Sequence, residues 1–366
     1  MGQYYVGLDV HSRQSVFVVE REDGTVTARG EFPTTAAGLR ELRTQQGLPA
    51  GTAVALETGT LAFYVARELL RLELRPVVID AHEVRLKAHR PTQKSDRRDA
   101  FELCEGLRRG IYRTIVHVPS VAISVLRETL SRRRHFVRVQ TAEINAAKRL
   151  LRAAGLGQLG KSLRTAAGWE KLLAALPTDS ELRTFLPHHH AVWRSAGVQV
   201  AALDGALARQ AEAVAADVAR LQTLPGVGPI VALTLIAALA DVTRFPSAKH
   251  VASYAGLIPS TQQSGERDRH GRITKRGAPE LRAMLCEAAQ HARRPSHPLN
   301  PYFAKLCARR GYQTAVIAIA HRLCRIAFAL LRDRVDFDPR RLGIEEGPFT
   351  RTIVRRYRLK VAPINA

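Results

Sequence analysis

Four carboxylates in the first hundred residues have types and spacing suited to metal chemistry. Asp9 sits inside the apolar run GLDVHS, Glu57 closes the apolar run VALE, and Asp96 and Asp99 lie three apart in KSDRRDA. On a helix, an i, i+3 spacing puts both carboxylates on one face. An unpaired carboxylate in an apolar strand is costly, so Asp9 and Glu57 need a cation or donors. Hard divalent ions such as Mg²⁺ (or Mn²⁺) take a few carboxylates, waters and substrate phosphates. Two such ions can activate a nucleophile and stabilise a leaving oxygen in phosphodiester chemistry. Each residue alone has an ordinary alternative. Asp9 could cap a turn, Glu57 or Asp96 a helix, and Asp99 could pair with a neighbouring arginine. As a set, they favour a metal site. His11 is near enough to Asp9 to support it, and equally suits an ordinary polar position.

Two further motifs lie in the last third. LPGVGP (224–229) precedes an apolar helical run and resembles a helix-hairpin-helix. There Gly226 and Gly228 would let backbone N–H groups approach a phosphate, and a plain packing loop fits equally well. The stretch 253–282 holds Ser260, Thr261 and Ser264-Gly265, then Arg267, Arg269, Arg272, Lys275 and Arg276. Chemically this could be a nucleophile beside phosphate-binding cations, since a covalent intermediate divides one hard step into two. A turn beside a nucleic-acid surface explains the same residues more simply. The run His188-His189-His190 reads as a solvated loop, because adjacent histidines do not share a helix face.

These residues need elements to hold them. Runs at 4–10, 15–23 and 25–32 predict three antiparallel strands, with Asp23-Gly24 as a turn. A helix ending at Gly47, a strand at 52–57, a helix over 61–72, a strand at 75–80 and a helix over 96–109 follow. The order β-β-β-α-β-α-β-α predicts an α/β domain of the ribonuclease-H/RuvC-like class. From Val121 to Leu221 the signals are helical. Long helices at 123–155 and 198–221 predict an antiparallel, coiled-coil-like arm of the sort that often serves oligomerisation. A mainly α region follows, with a flexible Gly- and charge-rich loop at 256–277, helices at 279–292 and 313–334, and a basic tail. The expected division is 1–115 metal-binding domain, 116–221 arm and 222–366 C-terminal domain.

Charge separates the two ends of the chain. The 366 residues carry 56 Lys+Arg against 33 Asp+Glu, a net +23. Residues 1–100 hold 14 against 13, whereas residues 251–366 hold 22 against 9. Such an excess points to polyanions, and its position gives that work to the C-terminal part. Arg132, Arg133 and Arg134 add a basic run inside the first arm helix. Cys104, Cys286, Cys307 and Cys324 form no CxxC pair, which argues against a zinc ribbon or a disulfide framework. No basic-then-apolar leader opens the chain, and the apolar stretch 230–240 is too short to span a bilayer. The expectation is a cytoplasmic, nucleoid-associated protein with no membrane partner.

The blocks GLDVHS, ALETG, KSDRRDA and AGLIPSTQQSG…GRITKRGAPELR together resemble the DEDD insertion-sequence transposases related to the Piv DNA invertases, a group that includes bridge-RNA-guided recombinases. The resemblance spans essentially the whole chain. It implies that Asp9, Glu57, Asp96 and Asp99 coordinate Mg²⁺, and that Ser264 is a nucleophile forming a covalent link to DNA. It also implies a homo-oligomer, dimer or tetramer, with a structured guide RNA pairing with donor and target DNA. Gln263 stands where the family often has a second serine, so Ser260 and Thr261 remain alternatives to Ser264. Lys94-Ser95-Asp96 replaces the usual Lys-Thr-Asp, and Ala278 replaces an Asn.

The reading is therefore a Mg²⁺-dependent DNA recombinase with a serine nucleophile, in which Gly226, Gly228 and the basic residues named above contact nucleic acid. Two rivals stand beside it. One is a RuvC-like Holliday-junction endonuclease that uses water. The other is a non-catalytic RNA- or DNA-binding protein on a degenerate nuclease fold.

Overall fold

The computed structural model describes residues 3–87, 95–264 and 267–343, with the backbone alone over 261–264 and 267–270. The chain divides into two compact units, Met1–Ser120 and Val121–Ala366.

The first unit is built on a five-stranded mixed sheet. Strands β1 (Tyr4–Val10), β2 (Gln14–Arg21) and β3 (Val26–Pro33) form an antiparallel meander. Helix α1 (Ala36–Gln45) leads to β4 (Ala53–Glu57), then α2 (Ala62–Arg71), β5 (Arg75–Ile79), α3 (Ala81–Lys87) and α4 (Asp96–Arg108). The spatial order is β3-β2-β1-β4-β5, with β4 parallel to both β1 and β5. This is a mixed α/β domain with the element order expected from the sequence, to which the structure adds the short helix α3.

Strand alternation sorts side chains between two faces. Val6 and Leu8 of β1 and Val54 and Leu56 of β4 pack with Leu39, Leu42, Val65 and Leu69 of α1 and α2. The opposite face packs on α4, where Val16 and Val18 meet Ala100 and Cys104, and Ala55, Val77 and Ile79 meet Leu103. Glu20 lies on this second face, 1% exposed, with Arg108 Nε donating to its carboxylate at 2.8 Å. Burial raises the Glu20 pKa, against the opposing pull of Arg108. The guanidinium is therefore what makes this buried acid tolerable.

The second unit is mostly helical. Helix α5 (Val121–Ala153) pairs antiparallel with α7 (Leu182–Glu212). Their cross-links fix that direction: Thr129 with Gln210, Arg133 with Asp204, Gln140 with the Trp193 carbonyl, and Glu143 with His189. Helix α6 (Ala166–Ala174) closes the far end, where Trp169, Leu172, Leu186 and Trp193 form a small core with Leu151.

Two sequence expectations need correction here. The second long helix begins at Leu182, and it breaks after Glu212 before the short α8 (Ala215–Gln222). His188, His189 and His190 therefore lie in α7 rather than in a loop. Pro187 removes one backbone hydrogen bond from that helix, but Leu186 and Trp193 are buried in the core on either side and carry the helix through. His189 pairs with Glu143 at 2.6 Å, and His190 stacks on Trp169 with ring centroids 5.3 Å apart.

The larger core of this unit surrounds α9 (Pro229–Leu239), which is buried from Ala232 to Leu239. Helices α8, α10 (Ala248–Tyr254), α11 (Pro279–Ala289), α12 (Asn300–Arg310) and α13 (Tyr312–Asp333) pack around it with the start of α5. Two arginines close the C-terminus of α9. Arg127 donates to the carbonyls of Ala237 and Ala238, and Arg244 to those of Leu239 and Ala238. Cations there complement the negative end of the helix.

The stretch expected as a loop contains a β-hairpin, β6 (Pro259–Ser264) against β7 (Arg267–Ile273). The Thr- and Gln-rich side of the turn accepts ladder pairing that Gly-rich composition had obscured. Among the described residues, α13 is the one helix long and apolar enough to cross a membrane, at 22 residues. Over half of its most apolar stretch is buried inside the unit, including Ile319, Leu323 and Phe328.

Candidate metal centre

The site grows from the carboxyl ends of two adjacent parallel strands. The register pairs Gly7 with Ala55 and Leu8 with Leu56, so Asp9 and Glu57 take neighbouring positions on the face that packs on α4. Thr58, the next residue, fixes the strand end: its N–H donates to the Ile79 carbonyl, and its hydroxyl accepts from the Ala81 N–H. Ligands in open sheets gather at such carboxyl ends.

Helix α4 brings the other two carboxylates. Gly7 is what lets it approach. A Cβ there would lie 2.1 Å from the Ala100 carbonyl oxygen and 2.5 Å from the Cys104 nitrogen. Asp96 and Asp99 occupy the first turn of α4, where negative charge suits the helix N-terminus. The Ser95 carbonyl accepts from the N–H groups of Arg98 and Asp99 and starts that turn.

Side-chain geometry joins strand and helix through a residue that the sequence left undecided. His11 Nε2 lies 3.1 Å from Asp9 Oδ2 and 3.4 Å from Asp96 Oδ2. Asp9, His11 and Asp96 each offer a ligand atom within 4.8 Å of the others. Burial raises the Asp9 pKa most, and the charges of Asp99 and Asp96 raise it further, while His11 lowers it. The cluster is thus short of positive charge, which is the condition a divalent cation relieves. The only signal for His11 in the sequence was its position two residues beyond Asp9.

The remaining predicted residues fall elsewhere. Ser264 ends β6 in the second unit, paired with Arg267, and Arg269 pairs with Gln262. Gly265 and Lys94 lie outside the described residues, as does the basic tail beyond 343. Arg272, Lys275 and Arg276 are exposed, and the Ser260 hydroxyl donates to the Arg272 carbonyl. Of the three consecutive arginines, Arg133 is bound to Asp204 within the arm, and Arg132 to Glu128 at 2.8 Å.

The two glycines of LPGVGP differ. Gly226 has φ +86° and packs so closely on α11 that a Cβ would lie 2.8 Å from the Ala288 carbonyl, whereas Gly228 faces open space. His297, 5% exposed, holds this loop: its Nε2–H donates to the Pro225 carbonyl, and its Nδ1 accepts from the Leu299 N–H.

A mixed sheet that brings Asp9, His11 and Asp96 together, with a basic helical unit following it in the chain, fits a DEDD nuclease-like domain. Residues 6–155 match a transposase family model of the DEDD type, and residues 218–304 match the model described as "Transposase IS116/IS110/IS902 family". The chain thus carries regions matching the DEDD and C-terminal transposase domains of the IS110/IS116/IS902 insertion-sequence transposases. Similar proteins include the "Transposase for insertion sequence element IS1111A" of Coxiella burnetii, 28% identical over 67% of this chain and 69% of that protein. The "Probable family 20 transposase" of Pseudomonas aeruginosa is 29% identical over 78% of this chain and 86% of its own length. The "Pilin gene-inverting protein" of Moraxella bovis is 36% identical over a shorter region, 33% of this chain and 38% of that protein.

Proposed function

We propose that this chain cuts and rejoins DNA during movement of an insertion sequence, using a divalent-metal centre on a ribonuclease-H/RuvC-like domain and a serine nucleophile. The observation that carries the reading is that Asp9, His11 and Asp96 each offer a ligand atom within 4.8 Å of the others, with the Asp9 pKa raised by burial and by the charges of Asp99 and Asp96. Carboxylates crowded at the carboxyl ends of parallel strands, on a transposase chain, fit cation binding better than structural pairing.

Asp9, Glu57, Asp96 and Asp99 would hold Mg²⁺ or Mn²⁺, and bound ions of this kind stabilise charge on a transferring phosphoryl group. Leu8 and Leu56 anchor the strand ends beneath the carboxylates, and His11 orients Asp9 and Asp96. Ser264 would attack the DNA phosphorus. Its Oγ–P bond forms as one backbone P–O bond breaks, and the serine proton finishes on the released sugar hydroxyl. The order of matched regions, the position of Ser264 beside basic residues and the charge of the second unit support this part. A structured guide RNA and a dimeric or tetrameric assembly complete the reading, with Gly228, Arg272, Lys275 and Arg276 among the nucleic-acid contacts.

The deciding experiment looks for an SDS-stable protein–DNA adduct when the protein is co-expressed with the DNA flanking its gene. An adduct mapped to Ser264, dependent on Mg²⁺ and absent in Ser264→Ala, is expected. An adduct on Ser260 or Thr261 moves the nucleophile. Cleavage without any adduct replaces the serine mechanism with a water-using nuclease.

A further inference from the structure

The basic charge of the second unit has a centre apart from the serine hairpin. From Ala288 to Arg332 the sequence contains no Asp or Glu, while it contains eight Lys and Arg. Helix α12 and all of α13 except its last residue, Asp333, lie in this segment and are joined at Gly311, whose φ of +81° allows the sharp reversal. They pack against each other through Phe303 and Tyr312, whose ring centroids are 5.8 Å apart in an edge-to-face arrangement.

The outer surface of this pair combines cations with aromatic rings. Tyr302, Lys305 and Arg309 follow an i, i+3, i+7 spacing, which puts them on one face of α12 over about 10 Å. All three are exposed, as are Arg310 and Tyr312 beside the reversal. The Arg322 guanidinium from α13 lies 4.9 Å from the Tyr302 ring centroid. Tyr302 and Tyr312 are 39% and 44% exposed, large values for rings whose neighbours Phe303, Ala315 and Val316 are buried. Among the described residues, Lys305, Arg309, Arg310 and Arg322 form no ion pair with a carboxylate. In the arm, by contrast, acids temper the basic residues, as Glu128 does Arg132 and Asp204 does Arg133.

We propose that the α12–α13 face is a binding surface for an unpaired strand of nucleic acid. Lys305, Arg309 and Arg310 contact its phosphates, and Tyr302 and Tyr312 stack on its bases. A duplex keeps its bases stacked on one another and offers these rings nothing, so the exposed tyrosines favour the single strand. The guanidinium over Tyr302 holds that ring in place from α13. This surface is independent of the carboxylate cluster and requires no metal.

The test is fluorescence anisotropy with the full chain in EDTA, which removes any contribution of the metal centre. The probes are a short mixed-sequence single-stranded DNA, the RNA of the same sequence, and the DNA duplex, each titrated over a range of salt. The charge variant Lys305→Gln/Arg309→Gln/Arg310→Gln should reduce the slope of log affinity against log salt by about 2, at about 0.7 per phosphate contact on a single strand. Tyr302→Leu and Tyr312→Leu should each weaken single-strand binding roughly tenfold without changing that slope, with Tyr302→Phe restoring it. Duplex binding should be unaffected by the tyrosine changes. Stronger loss on RNA than on DNA, or the reverse, identifies which strand is the ligand. Unchanged single-strand binding in both the charge and tyrosine variants overturns the proposal. So does equal loss on duplex and single strand in the tyrosine variants. Circular dichroism melting of each variant separates a lost contact from a lost fold.

Discussion

Gly7 and Ala100 touch backbone to backbone: a Cβ on Gly7 would lie 2.1 Å from the Ala100 carbonyl oxygen. That contact sets the distance between the strand bearing Asp9 and the helix bearing Asp96 and Asp99. The proposed four-carboxylate site therefore depends on a residue with no side chain.

Gly7→Ala should push α4 off the sheet. The clash is with backbone, which cannot swing aside as a side chain does, so the cost should reach about 3 kcal/mol, the upper end of overpacking. Urea unfolding of the full chain measures it. A variant as stable as the parent would mean that α4 is not held where it appears.

Asp9→Asn and His11→Ala should separate two roles in the same cluster. Asn offers no negative charge, so Mn²⁺ affinity by calorimetry should fall about 100-fold in Asp9→Asn. His11→Ala removes a group that orients two carboxylates, a loss of about 10- to 100-fold for such partners and expected here near the lower figure. Equal losses in the two variants would make His11 a ligand in its own right.

His297 should make stability depend on pH. Burial lowers its pKa to about 4, and a neutral ring fits its two bonds, one donated to Pro225 and one accepted from Leu299. The unfolded chain binds this proton near pH 6.5 and the folded chain only near 4. Stability from this group is therefore complete above pH 6.5 and is lost as pH falls from 6.5 to 4. The full loss is about 3 kcal/mol at 1.36 kcal/mol per pH unit. Chemical denaturation at pH 7 and pH 4.5 should show a smaller difference in His297→Gln than in the parent.

Glu83 should act in a lower window. Burial would raise its pKa, but Lys87 and the N–H groups of Arg113 and Thr114 outweigh it and pull the value down to about 2. Its stabilisation is present above pH 4.5 and is lost as pH falls towards 2. Glu83→Gln should cost on the order of 2–3 kcal/mol at pH 7 and very little at pH 2. Equal destabilisation at both values would show that packing, not charge, is the cause.

The individual carboxylate positions were legible because their signals are local. Asp9 and Glu57 each end an apolar run, and an i, i+3 pair shares a helix face whatever surrounds it. His11 was not, because its distance to Asp96 crosses 85 positions of chain. Arg133 looked available for phosphate until the arm folded back and Asp204 took it. His188, His189 and His190 looked like a loop because adjacent histidines do not share a helix face, and burial of Leu186 and Trp193 on either side carries α7 through them. The histidine that locks LPGVGP carried no signal, since its partner is the backbone carbonyl of Pro225.

By itself, then, the sequence determined most of the element order in the first unit, the apolar faces and the distribution of charge along the chain. These follow from periodicity and composition, which act over a few residues. Tertiary structure alone decided which carboxylates share one cluster, which arginines are neutralised and which aromatic rings are left exposed. Those outcomes depend on pairs distant in the chain, and their energies appear only when packing removes water and fixes the distances between them.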